Sequence, residues 1–308
     1  ALYALRQYFW KKNQTSVAFK KAILQVMVPK ESGEKVDSAQ REKTLQEIQE
    51  DIAVMENIFS SIGGMKAERG PKSWLLGRED TISFELVAHD NFITFYIAAP
   101  HHLKDFVTQQ VQASYPLSQV EEVEDYNIFT PQRAVVAGRL KFNRNPYFSL
   151  KTFKKMESDP LNALTNSLAK VLKTEGDSAA IQILVRSAHK RWRRGAVHLV
   201  RTMQQGKSLR EALETRTVIG VLKKIFSFPL KKKDDAPKKD YKMSPLEEEM
   251  IKTIDEKASK LGLDVNVTIV ASAKTHQQAA TYLQNIYGAF AQLNVPQFGN
   301  SFQMKKKH

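Results

Sequence analysis

The side chains in this sequence best suited to chemistry are cations, and they cluster. His189-Lys190-Arg191-Trp192-Arg193-Arg194 sets one lysine and three arginines around an indole, and Lys231, Lys232, Lys233, Lys238 and Lys239 follow in a stretch of lysine, aspartate and proline. Residues 186 to 242 hold 17 Lys+Arg against 5 acidic residues. Cations at that density neutralise phosphates, and an indole among them stacks on an unpaired base. Beside a membrane the same charge suits anionic lipid, while a solvated, solubilising face is the reading that needs no ligand. The polyanion-binding candidates are therefore Lys190, Arg191, Trp192, Arg193, Arg194 and the five lysines of 231–239. Trp192 adds stacking if it is exposed, and none if it packs against Val200 or Met203.

Other residue types offer less. Gly206-Lys207-Ser208 has the ending of a phosphate-binding P-loop, but that loop needs a glycine five residues before Gly206, where Arg201 stands, and an entering strand, where residues 191 to 205 have helical periodicity. The tripeptide reads as a helix C-terminus. His101 and His102 are adjacent and diverge around a helix rather than converge on a metal, and His189, His198 and His276 are scattered. No carboxylate pair has the spacing of an acid and base couple. The absence of cysteine excludes disulfides, thiolate metal sites and a cysteine nucleophile. No catalytic residue, cofactor or metal is expected.

The elements that must hold the cluster follow from periodicity. A chain of 308 residues is long enough for about two domains. Its charge divides accordingly: residues 1 to 132 carry 14 Lys+Arg and 18 Asp+Glu, whereas residues 133 to 308 carry 33 and 15. Residues 81 to 116 read most clearly. Ile82, Phe84 and Leu86 alternate with polar residues, His89-Asp90-Asn91 supply turn chemistry, Phe92 to Ile97 run apolar, and Leu103, Phe106, Val107 and Val111 mark one helix face. Before this hairpin the pattern predicts a strand over Thr15 to Pro29, then a helix through Leu45, Ile48, Ile52, Met55 and Ile62, with Trp74 and Leu75 tucked onto the core. After it comes a strand over Ser118 to Phe129.

The second half repeats this β-α-β-β-α-β order. A strand over Arg133 to Arg144 leads to a helix N-capped by Asp159 with Pro160 at its first position, and then to a strand over Ala179 to Val185. The chain departs there for about 75 residues and returns with the capping box Ser244-Pro245-Leu246-Glu247. A strand through Val265, Val267 and Ile269, a helix over Thr275 to Leu293 and a short strand with Phe302 and Met304 complete it. The expected fold class is α+β: two tandem ferredoxin-like (βαββαβ) units, residues 15–130 and 133–308, the second with a basic helical insertion at about 187–243. Parallel pairing of 81–88 with 92–98 would exclude it.

Residues 1–14 stand apart. Leu2, Tyr3, Leu5, Tyr8, Phe9 and Trp10 precede Lys11 and Lys12, the order of an aromatic belt and positive charge at the cytoplasmic end of a transmembrane helix. Ten residues are too few to span a bilayer, which takes about 20. A juxtamembrane segment with its span upstream is expected, the alternative being an amphipathic helix that docks on the domain.

On these segments the chain resembles the accessory N-terminal region that precedes the motor in bacterial type IV secretion and conjugation-type DNA-translocating ATPases, the TraG-like and HerA-like class. The resemblance is carried by SFELVAHDNFITFYIAAPHHLKDFVTQQVQASYP, by DPLNAL and AIQILVRSAHKRWRR, and by DVNVTIVASAKTHQQAATYLQNIYGAFAQLN leading to NSF. It extends over nearly all the chain past about residue 15. In that family a transmembrane segment precedes the region and a P-loop ATPase follows it. The resemblance implies a non-catalytic, membrane-proximal module on the cytoplasmic face of the bacterial inner membrane, positioning the motor or self-associating with a ring ATPase. The chain has no Walker A or Walker B sequence, so the family's ATPase activity does not transfer to these residues. The alternative is a stand-alone nucleic-acid-binding protein without sequence preference.

Overall fold

A computed structural model describes residues 2–18, 20–28, 44–214 and 243–307. The first half contains α1 (Leu2–Ala18), β1 (Lys21–Met27), α2 (Leu45–Gly64), α3 (Pro71–Leu76), β2 (Ile82–His89), β3 (Phe92–Pro100), α4 (Lys104–Ser114) and β4 (Gln119–Val123). The second contains β5 (Ala134–Phe142), α5 (Pro160–Val171), β6 (Ser178–Ser187), α6 (Lys190–Gln204), α7 (Leu209–Glu214), α8 (Pro245–Ser259), β7 (Leu263–Ala273), α9 (His276–Ala289) and β8 (Phe302–Lys307). The protein is mixed α+β, with one eight-stranded antiparallel sheet in the order β4-β1-β3-β2-β6-β7-β5-β8.

Local chemistry sets the boundaries that the sequence makes legible. In the β2–β3 hairpin His89 pairs with Phe92, and Asp90 and Asn91 adopt φ of 47° and 66°. That left-handed pair is what a two-residue turn needs and what Asp and Asn tolerate. Thr44 opens α2 and Ser244 opens α8, each in a full capping box with Glu47 and Glu247 respectively. Asp159 accepts from Leu161 N at 2.8 Å at the head of α5.

The inner strands of the sheet share one apolar face. Ile82 and Phe84 of β2 pack with Ile58 and Ile62 of α2 and Val107 and Val111 of α4. Two residues further along the same face, Leu86 and Ala88 pack with Leu168 of α5 and Leu283 and Ile286 of α9. β6 does the same, with Ile181 in one cluster and Val185 in the other. The β2–β6 pairing, from Ile82↔Val185 to Ala88↔Ala179, is therefore the seam that joins two cores under four helices.

Two predicted strands are corrected. Over Thr15 to Pro29, α1 continues through Ala18, where Thr15 Oγ1 donates to Lys11 O at 2.9 Å, and the strand begins only at Lys21. No glycine or proline interrupts residues 2–28, so the β-branched Thr15 and Val17 lower helix propensity without ending the helix. Phe19 and Pro29 lie outside the described residues. β4 stops at Val123, short of Phe129. Beyond it the chain crosses to the other face of the sheet, where Ile128 packs with Val87 and Ala180, and Tyr126 stacks on Tyr96 with ring centroids 4.3 Å apart. Apolar residues that resemble one strand thus serve first as an edge and then as a cover.

The excursion is the turn of a single long hairpin. β6 and β7 pair from Ser178↔Ser272 to Ser187↔Leu263, and Ala188 N donates to Gly262 O at 2.9 Å. Beyond that neck α6 and α8 bury Leu199, Val200 and Met203 against Met250, Ile251 and Ile254.

Candidate functional site

α6 has two faces because its cations and its apolar residues alternate at helical spacing. Lys190, Arg191, Arg193 and Arg194 are exposed, while Ala196, Leu199, Val200 and Met203 are buried. The helix ends at Gly206 (φ +80°): Gly206 N donates to Met203 O at 2.9 Å and Lys207 N to Thr202 O at 3.4 Å. These are the paired reverse bonds of a glycine C-cap, and Gly206-Lys207-Ser208 forms no phosphate loop. His101 and His102 are exposed in a short 3₁₀ turn ahead of α4. Among the described residues no group of three or more His, Asp or Glu side chains is placed to hold a metal.

The basic candidates divide. Lys190, Arg191 and Arg194 line a cavity of about 570 Å³ together with His189, Arg69, Ser73, Trp74 and Arg78. Trp192 is half-buried and belongs elsewhere: a Cβ on Gly262 would meet its Cε3 at 3.1 Å, and Lys257 Nζ lies 5.8 Å from its ring centroid. It does not pack on Val200 or Met203, and it lines a second cavity. Lys231, Lys232, Lys233, Lys238 and Lys239 lie outside the described residues.

The indole that does share a cavity with the arginines is Trp74, which was expected on the core and is 52% exposed. Gly70 (φ +119°) and Pro71 start α3 abruptly, so Arg69, just ahead of the turn, and Trp74, in the short helix, both come beside α6. Arg6 of α1 covers the Trp74 ring at 4.8 Å and donates to its carbonyl at 3.0 Å. Asn13 donates to Leu76 O at 3.2 Å. α1 therefore docks on α3 through polar contacts, leaving Tyr8, Phe9 and Trp10 exposed. No described helix is long and apolar enough to cross a membrane.

Arg78 is buried and committed to structure, donating to Asp80 through Nε at 2.8 Å and to Ser187 O at 2.7 Å. The one carboxylate at this cavity among the described residues, Glu68, accepts from Glu79 N at 2.9 Å. Arg69, Lys190 and Arg194 have no ion-pair partner among the described residues.

The second cavity, about 1220 Å³, reaches the sheet face opposite the main core. Buried Glu85 accepts there from Ser83 Oγ at 2.5 Å, from Gln182 Nε2 at 2.9 Å and from Tyr126. Both its oxygens are thus engaged. Burial pushes the Tyr126 hydroxyl well above its ordinary value, with Glu85 adding to the effect. Lys21 donates to Thr81 O at 3.0 Å; burial lowers its pKa, and Glu85 opposes that shift. Lys257, held by Pro146 O at 2.7 Å and Phe148 O at 3.3 Å, is lowered by burial to about 8.

Architecture and cavity together define an α+β domain on one antiparallel sheet, with a cationic pocket at the root of a hairpin insertion. Residues 15–306 match the family described as a domain of unknown function, DUF8128, and the chain belongs to that family. No curated protein is matched. The crystal structure of aclacinomycin oxidoreductase is similar over 89% of this chain and 41% of that one, at 10% identity and a TM-score of 0.32. That likeness is too slight to carry fold or activity across, and this chain spans less than half of that structure's length.

Proposed function

We propose that this domain is a non-catalytic, membrane-proximal module of a type IV secretion or conjugation-type DNA-translocating ATPase, and that it assembles copies of the motor by self-association. Each half of the sheet is read as a ferredoxin-like unit: β4-β1-β3-β2 and β8-β5-β7-β6 are the same strand order, with α2 and α4 in one and α5 and α9 in the other at corresponding crossovers. The observation that carries the assembly reading is the charge of the two edge strands. β4 exposes Glu121 and Glu122, the second paired with Lys104 of α4, and β8 exposes Lys305 and Lys306. Like edges repel, which discourages symmetric edge pairing, whereas an acidic edge and a basic edge on one sheet are complementary head to tail. Such a heterologous contact closes a ring when its rotation permits.

Sedimentation velocity at low salt tests this. The intact chain is expected to associate, Glu121→Lys/Glu122→Lys and Lys305→Glu/Lys306→Glu are each expected to be monomeric, and an equimolar mixture of the two is expected to associate again. A monomeric intact chain, or variants that associate unchanged, would remove the assembly reading. The cationic cavity favours the alternative of a stand-alone nucleic-acid-binding protein. The uninterrupted reading frame separates the two: about 20 apolar residues upstream and a GxxxxGK[ST] downstream support the module, and stop codons at both ends support the alternative.

A further inference from the structure

We infer that the 570 Å³ cavity between α3 and the start of α6 is a seat for single-stranded nucleic acid, with Arg69, Lys190 and Arg194 on the phosphates and Trp74 under a base. This rests on the polyanion-binding part of the functional reading and moves its aromatic partner from Trp192 to Trp74. Three cations with no ion-pair partner among the described residues converge from chain segments more than a hundred residues apart, and Glu68 is the one described carboxylate in the lining, so the cavity keeps an excess of positive charge. Gathering like charges raises the free energy of the empty site, and a phosphate lowers it. The volume lies within the range of about 300–1,000 Å³ that holds small ligands, so it takes a splayed nucleotide and not the groove of a duplex. Arg6 covers Trp74 while half the indole remains exposed, a stacking platform that a lipid headgroup does not use.

The tryptophans are Trp10, Trp74 and Trp192, so Trp10→Phe/Trp192→Phe leaves Trp74 as the reporter in the full chain. Titration with an oligothymidylate of about ten nucleotides, within the usual site sizes, is expected to quench that emission to saturation. The log–log salt slope is expected near −2, from about −0.7 for each of three phosphates. Arg69→Glu/Lys190→Glu/Arg194→Glu is expected to bring the slope toward zero. Followed by the anisotropy of a fluorescein-labelled oligothymidylate, because the reporter is then absent, Trp74→Ala is expected to weaken binding by roughly 5- to 150-fold, the equivalent of about 1–3 kcal/mol of stacking, and Trp74→Phe to restore most of it. Arg69, Lys190 and Arg194 are exposed, so circular dichroism of the charge-reversal variant is expected to match the parent, and Trp74→Phe keeps a ring for Arg6 to cover. Binding without quenching, undiminished by charge reversal, overturns the seat but leaves polyanion binding elsewhere on the insertion. No binding at low salt overturns both. Quenching by phosphatidylserine vesicles but not by oligothymidylate makes the cavity a lipid-headgroup site and overturns the nucleic-acid proposal.

Discussion

Lys257 shows what burial does to one side chain. Its ammonium meets backbone carbonyls of Pro146 and Phe148 and, among the described residues, no carboxylate, so burial carries its pKa from the ordinary 10.5 down to about 8. Between those values the unfolded chain holds the extra proton, so stability rises with pH across about 8 to 10.5, while below 8 the burial penalty is constant. A ¹³C titration of lysine side chains is expected to show one resonance with a midpoint near 8, absent in Lys257→Met; titration of every lysine above 10 would refute it. Asp177 is the opposite case. Its side chain is fully buried, pairs with Arg133, and accepts from Gln278 at 2.9 Å and Tyr282 at 3.0 Å, tying β5, β6 and α9 together. Asp177→Ala leaves those donors stranded and is expected to cost about 3–5 kcal/mol in urea unfolding; a loss below 1 kcal/mol would show that water replaces the carboxylate. Neither environment is legible in sequence, because Arg133, Asp177 and Gln278 meet only after the sheet forms.

At the scale of elements, the capped starts at Asp159 and Ser244 were legible, whereas the start of α3 and the strand ends were not. Thr44, Asp159 and Ser244 act on backbone N–H groups within three residues, so the signal is local, and Ser244→Ala is expected to cost about 1 kcal/mol by thermal unfolding, with recovery in Ser244→Asp. Strand ends depend on what lies across the sheet. Tyr126 and Ile128 continue the pattern of β4, but they leave it because Tyr96 and Val87 offer a better-covered site on the other face. The cavity was half legible for the same reason. Lys190, Arg191 and Arg194 stand out as a charge run, whereas Arg69 and Trp74 sit in a turn-rich stretch whose Gly70 and Pro71 are visible but whose neighbour is not. Trp192, adjacent to the arginines in sequence, is turned by the helix toward Gly262. Adjacency along a helix separates side chains by about a hundred degrees, and contact comes from residues three or four apart or from another element.

For the whole molecule, the repeated order of strands and helices was readable as a grammar, but not the way its two halves meet. Each half contributes its inner strand, β2 or β6, to one seam, and Ile183 of β6 touches both apolar clusters. Neither half then has a complete face of its own: without β6, Ile82 and Phe84 lose the neighbour on which Val185 closes their cluster. The halves are expected to unfold in one transition, unlike two domains joined by a linker. Ala180→Pro tests this, because proline in a strand paired on both sides removes a ladder bond and its ring strains the pairing. Hydrogen exchange in that variant is expected to lose protection in β1 and β3, as well as in β5 and β7, by a similar factor. Continued full protection of β1 and β3 would mean that the first half holds its fold alone, and that the seam joins two finished domains rather than completing either.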